Sequence, residues 1–498
     1  MIENTYKLVI SFFLIFYMLC NFFFILNFNI NPFEFDTRVA LVLIESLIVE
    51  GKILMPFPDG GSFSFCNSEN ICSENPDYSF GEHINSQLSA NYTSGLIVIL
   101  PIIIISKIIN FFVEAPQTVG YLIFLYTLSM SLITSFSILL INFSSNFNLE
   151  KKFALWILPI PILCSLQIYS VGSIVGEYVA SILLSLSIFA LLISYSTKQK
   201  CVFYCILAFI LGVSFEAKSS VGVIILVSVL FLFYQSWIKE RSLVRIITYG
   251  FFAILPKLLF YIYVWSTVNF SIQGFMNHLT AYGNVAKYNA NAFLGWQVPN
   301  LYGYSDSLFL YGNLQKYLII IILLILIFLI YLVVNKKYSN IVLPFFSSTI
   351  LLSALVYPTI FSAPYPRIFS PFWALVPTCS IALIILFKDY AFKDKNIIWK
   401  NVPLILIICF CIEFFKHVEP LPNDRSLNSA KSWNFNEIKK SNSIGDENID
   451  AYGIDRNFEK AYPNIIIDDN KKFLVFDFFS MPWDFYLGRR LKKESIPK

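Results

Sequence analysis

The sequence predicts an all-α polytopic membrane protein of about eleven transmembrane helices, with a small C-terminal extracytoplasmic α/β region. Three observations carry that expectation. The 498-residue chain is 57% hydrophobic and 14% charged, holds 51 phenylalanines and has a mean hydropathy of +0.66. A water-soluble core could not hide that much apolar surface. The apolar residues gather in runs that meet or approach the ~20 needed to cross a bilayer, and the basic residues fall on alternate connections between them.

The runs cover 7–28, 118–143, 153–171, 177–196, 201–216, 219–236, 246–268, 317–334, 341–361, 368–387 and 402–415. A further run, 95–113, contains Pro101 and Lys107. If it does not cross, Lys151, Lys152, Lys198, Lys200, Lys239, Arg241, Arg245, Lys336, Lys337, Lys388, Lys393, Lys395 and Lys400 all share the side of the N-terminus. The opposite short loops then carry only Lys218 and Arg367. That asymmetry places the N-terminus in the cytoplasm, so 95–113 is read as a re-entrant or interfacial piece. The first run is too long for a signal-peptide core and lacks a small-residue cleavage site after it, which makes it an uncleaved span.

Residues 1–416 accordingly form a transmembrane domain, and 417–498 a small extracytoplasmic region with β-like runs at Asn464–Asp468 and Phe473–Phe478. The first external loop is 29–117 and the second 269–315. No basic block interleaved with aromatics occurs, so nucleic acid is not an expected partner; membrane lipid is. Of nine cysteines, seven lie in apolar segments as small core residues. Cys66 and Cys72 lie in the first loop and could close a small disulfide in an oxidising compartment.

The first loop opens with an amphipathic helix expected over 33–50. Asn31 and Pro32 suit its start and Gly51 its stop. Val39, Val42, Leu43 and Leu47 recur at helical spacing, and Arg38, Glu45 and Lys52 form a polar stripe. Glu34 and Asp36 sit in the first turn, beside the positive end of the backbone dipole. Asp36 is either a stabilising first-turn acid or a carboxylate at the water–lipid boundary able to act on a lipid-linked substrate.

Ionisable groups in or at the ends of spans cost roughly 2.5–3.5 kcal/mol each to insert, so each needs a reason. Glu177 starts the fourth span, Glu216 and Lys218 link the fifth and sixth, Lys257 lies midway along the seventh beside Pro256, and Arg367 opens the tenth. Taken singly, these are terminal charges satisfied by a partner; Glu216 and Lys218 could neutralise one another. Taken together, Asp36, Glu82, His83, Glu177, Lys218 and Arg367 all reach one external boundary. Asp36 and Glu177 could supply a general base and jointly a hard divalent-metal site, magnesium or manganese. Lys218 and Arg367 could clamp a phosphate leaving group, and His83 could orient or protonate. No nucleotide-binding motif is present, so a phosphorylated donor would arrive through the membrane.

At these positions the chain resembles the membrane-embedded GT-C glycosyltransferases, in particular the group of protein O-mannosyltransferases and the bacterial aminoarabinose transferase of lipid A. The likeness in layout covers roughly residues 7–387. Asp36 stands where the family places its catalytic aspartate, and Glu177 in VGEYVA matches its second acid. Lys218 in FEAKSSVG is similar to its lysine after the fifth span, and Arg367 in YPRIFSPFWALVP to the arginine of its late motif. The chain departs from the family at Thr37, where a second acid is often found, at Glu177, where Asp is usual, and in a missing Tyr-Pro-Pro element. Asn91–Gly95, preceded by Glu82 and His83, stands in place of that element.

The resemblance implies a GT-C-like membrane domain in a bacterial inner membrane. It implies inverting transfer of a sugar from a polyprenyl-phosphate donor to an extracytoplasmic lipid, glycan or protein, with Asp36 as base. Glu177 would position the acceptor or share a metal; Lys218, Arg367, Glu82, His83 and Arg38 would contact substrate. An oligosaccharide polymerase or ligase of the cell envelope is the alternative enzyme. A transporter, which would want charges near the midplane and paired broken helices, is the alternative of another class.

Overall fold

The computed structural model describes residues 64–66, 72–74, 96–112, 119–170, 176–218, 221–267, 270–273, 275–276, 314–361 and 369–391, with 409 and 412. The expected first span, the helix over 33–50, most of the second external loop, all but two residues of the run 402–415 and the region 417–498 lie outside the described residues.

Apart from one hairpin, the described chain is helical. The elements are α1 Leu96–Phe112, α2 Val119–Ser144, α3 Leu149–Ile157, α4 Pro159–Ser170, α5 Gly176–Ile193, α6 Cys201–Ala217, α7 Gly222–Glu240, α8 Leu243–Thr267, α9 Leu314–Val334, α10 Val342–Phe361 and α11 Ser370–Ala391. Among the described residues, five helical stretches are long and apolar enough to cross a membrane: Phe124–Ser144, Gly176–Ser196, Leu243–Tyr263, Tyr338–Val356 and Ser370–Tyr390. The chain is therefore a membrane protein built largely of apolar helices. In the first loop, β1 Ser64–Cys66 pairs antiparallel with β2 Cys72–Glu74, and the register sets Cys66 opposite Cys72.

One expectation changes in detail. The run 153–171, expected as a single span, begins earlier and is divided. Asn148 caps α3 by accepting the Lys151 N–H at 3.0 Å, with Glu150 in the first turn, which starts the helix at Leu149. Pro159 and Pro161 bring no N–H to the ladder, and the helix is interrupted at Leu158 before α4 continues it. The run 95–113 is an unbroken helix through Pro101, packed along α2, with Leu100, Ile104, Ile108 and Phe111 exposed along one side.

The centre of the bundle is α5, all eighteen residues of which are buried. It packs against α11 and α6, and α11 in turn packs on α4 and α9. Such enclosure needs a helix that lets its neighbours close in, and Ser181 and Ser187 provide it. Each is small and turns its hydroxyl back to the carbonyl four residues earlier, Glu177 O at 2.6 Å and Leu183 O at 2.9 Å. The opposite case is α8, where only 17% of the apolar window is buried, against 89% for α5. It lies along α6 at the outside of the bundle. Gly212 permits that contact: a Cβ there would stand 2.3 Å from the Ala253 carbonyl oxygen.

Apart from α4, which continues α3, successive helices from α2 onward reverse direction, so connections collect at two ends. The first end holds Asn146, Lys151, Gln199, Lys337 and Asp389; the second holds Glu177 and Lys218. First-end residues from distant parts of the chain are tied together. The Asn146 N–H donates to Gln199 Oε1 at 2.7 Å and Tyr195 donates to the Ser339 carbonyl at 2.9 Å. Tyr331 and Lys337 both donate to the Tyr390 carbonyl, at 2.5 and 3.2 Å.

Candidate functional site

The second end is organised by the approach of α5 to α6. Gly176 opens α5 so close to the end of α6 that a Cβ would lie 1.9 Å from the Ala217 carbonyl oxygen. Only a residue without a side chain fits there. The next residue, Glu177, is thereby delivered to Lys218, the residue after the last turn of α6. The Lys218 ammonium and Glu177 Oε1 are 2.7 Å apart. Backbone geometry favours both charges. Glu177 occupies the first turn of α5, where the dipole is positive, and Lys218 caps the negative end of α6 in extended conformation, its own N–H reaching Ser214 O at 3.1 Å.

The pair is asymmetric toward water. The Glu177 side chain is 6% exposed and that of Lys218 25%. The carboxylate is held inside the bundle, while the ammonium keeps an open side. A lysine carries three N–H donors, and the contact with Glu177 engages one of them. The arrangement can therefore present a fixed, hydrated cation to an anionic group at the end of the bundle.

Glu216 does not serve as the partner of Lys218. Residues two apart on a helix do not face each other, and Glu216 is buried, within electrostatic reach of Lys257 on α8. Lys257 sits half-buried with its ammonium over the rings of Phe260 at 4.9 Å, Tyr261 at 5.4 Å and Phe215 at 5.9 Å. The ion pair Glu177–Lys218 stands at this end, and Lys257 lies on α8 with the buried Glu216 of α6 within electrostatic reach. The surroundings of Lys257 and the packing role of Gly176 were the features least visible in sequence. The signals were a glycine directly before an acid, and a lysine in a span flanked by aromatics.

Asp36, Arg38, Glu82, His83 and Arg367 lie outside the described residues. Arg367 precedes by two residues the buried Phe369, which leads into α11 at the second end. Among the described residues no group of three or more His, Cys, Asp or Glu is arranged to hold a metal. Glu177 gives one carboxylate oxygen to Lys218, and Asp36, the acid expected to share a divalent ion with it, lies outside the described residues.

Comparison with protein-family models finds no match for the chain, and neither do comparisons with curated proteins and with solved structures.

Proposed function

We propose that the chain is a membrane glycosyltransferase that moves a sugar from a polyprenyl-phosphate donor to an acceptor outside the cytoplasm. The reading joins the family resemblance of the sequence to one observation. Glu177 and Lys218, singled out separately as costly charges, meet at 2.7 Å at the end of the bundle opposite Lys151 and Lys337.

In this reading Asp36 deprotonates the acceptor hydroxyl, whose oxygen attacks the anomeric carbon from the face opposite the phosphate. The bond from that carbon to the phosphate oxygen breaks, and the electron pair leaves with the phosphate. Lys218 and Arg367 stabilise the developing negative charge. Glu177 acts through Lys218, fixing where its ammonium stands. The end that carries Lys151, Lys198, Lys337 and Lys388 faces the cytoplasm by the positive-inside bias, and the Glu177 end faces outward.

Asp36→Asn tests the reading. It should abolish transfer from lipid-linked sugar in membranes while leaving protein abundance unchanged; full residual transfer would remove the assignment. The accumulation of lipid-linked sugar and the loss of a surface glycan in a deletion strain would identify donor and acceptor.

A further inference from the structure

We infer that Lys257 is a binding residue for the phosphate of a membrane lipid, reached from the bilayer along the outer side of α8. The inference deepens the proposed function and rests on it for the identity of the lipid, a polyprenyl phosphate. A lysine inside a span is costly enough that its placement calls for a compensating contact. Here the ammonium is surrounded by the ring faces of Phe215, Phe260 and Tyr261 at 4.9–5.9 Å. Ring faces attract a cation without neutralising it, and Glu216 lies within electrostatic reach without a direct ion pair to Lys257 among the described residues, so one side of the charge stays open to an anion.

The position also fixes the direction of approach. Ile254, Leu258, Leu259 and Ile262 around Lys257 are exposed, and α8 is the least enclosed of the five long apolar helices. A lipid phosphate can meet this ammonium by sliding along the outside of the bundle. It would then stand next to Glu216, two residues before Lys218. Lys257, reached from the bilayer side, first receives the donor, and Lys218, whose open side lies at the end of the bundle, meets it at the site. A free phosphate has the same charge chemistry but would enter from water, and the experiment separates the two.

Full-length protein in phosphatidylcholine nanodiscs is titrated with a long-chain polyprenyl phosphate, and bound lipid is counted by native mass spectrometry. The wild type and Lys257→Arg should bind, as should Lys107→Met, which removes an exposed lysine from α1. Lys257→Met should bind at least about tenfold more weakly, the loss expected for a charge-assisted contact. Lys257→Gln, which keeps length and polarity, should show the same loss and serves if the methionine variant folds poorly. Excess inorganic phosphate should not displace the lipid. Equal binding by Lys257→Met or Lys257→Gln, or displacement by inorganic phosphate, overturns the inference. A chain that binds the lipid through Lys257 but transfers no sugar keeps the inference and removes the glycosyltransferase reading. A Lys257→Met chain that transfers at the wild-type rate does the reverse.

Discussion

At the first end of the bundle, Lys151 is buried and reaches both Asp389 at 2.7 Å and the Ser196 hydroxyl at 2.8 Å, and its neighbour Glu150 pairs with Lys388. At the second end, Lys218 reaches Glu177 and keeps an open side. Both ends use a lysine and an acid brought from distant parts of the chain. In the first the lysine is the enclosed member, at 3% exposure, and its acid faces outward at 28%; in the second the enclosure is reversed, with Glu177 inside and Lys218 outward. Enclosing the cation spends its charge on holding helices together. Enclosing the anion leaves the cation for something beyond the protein. The same pair of residue types therefore makes a fastening at one end and a candidate binding group at the other.

Substitutions can break this contrast. The largest effect is expected from Gly176→Val, because its Cβ would overlap the Ala217 carbonyl. Backbone must move, at about 3 kcal/mol or more, and the melting temperature in detergent should fall steeply with loss of the Glu177–Lys218 contact. Lys218→Met comes next and separates function from stability. Transfer from lipid-linked sugar should drop about a hundredfold or more, with a smaller change in melting temperature than Gly176→Val causes. A variant that transfers normally would reduce the pair to a fastening.

Lys151→Met should act in the opposite sense. It leaves Asp389 without its cation, and because that carboxylate is partly in water the cost is about 1–3 kcal/mol, below that of a fully buried break. Transfer per folded molecule should stay as in the wild type, and Asp389→Asn in the same chain should recover part of the stability. Lys388→Met should be the mildest, about 0.5–1 kcal/mol, since its partner Glu150 is 35% exposed. A melting shift larger than that of Lys151→Met would show that the first end is organised around the other pair.

Much of the bundle is legible in the sequence because bilayer hydropathy acts on long windows. The runs at 177–196, 246–268 and 341–361 correspond to α5, α8 and α10 within a few residues. Window averaging is also why the interruption at Leu158 was not: Pro159 and Pro161 are apolar and disappear into one run. For the site, the cost of burying charge pointed to Glu177 and Lys218, but not to their pairing. Glu216 is nearer to Lys218 in sequence, and only the geometry at Gly176 decides which acid it meets. The set around Lys257 needs α6 and α8 side by side, a register that no local pattern contains.

The complete enclosure of α5 also bears on how the chain is made. Glu177, Ser181, Ser185 and Ser187 lie buried along this helix, yet α11, its main cover, is finished about 200 residues later, roughly 10–40 s at ordinary elongation rates. During that interval α5 must lean on earlier neighbours such as α2, or on the insertion machinery. The order of translation thus leaves its most enclosed helix waiting for a roof.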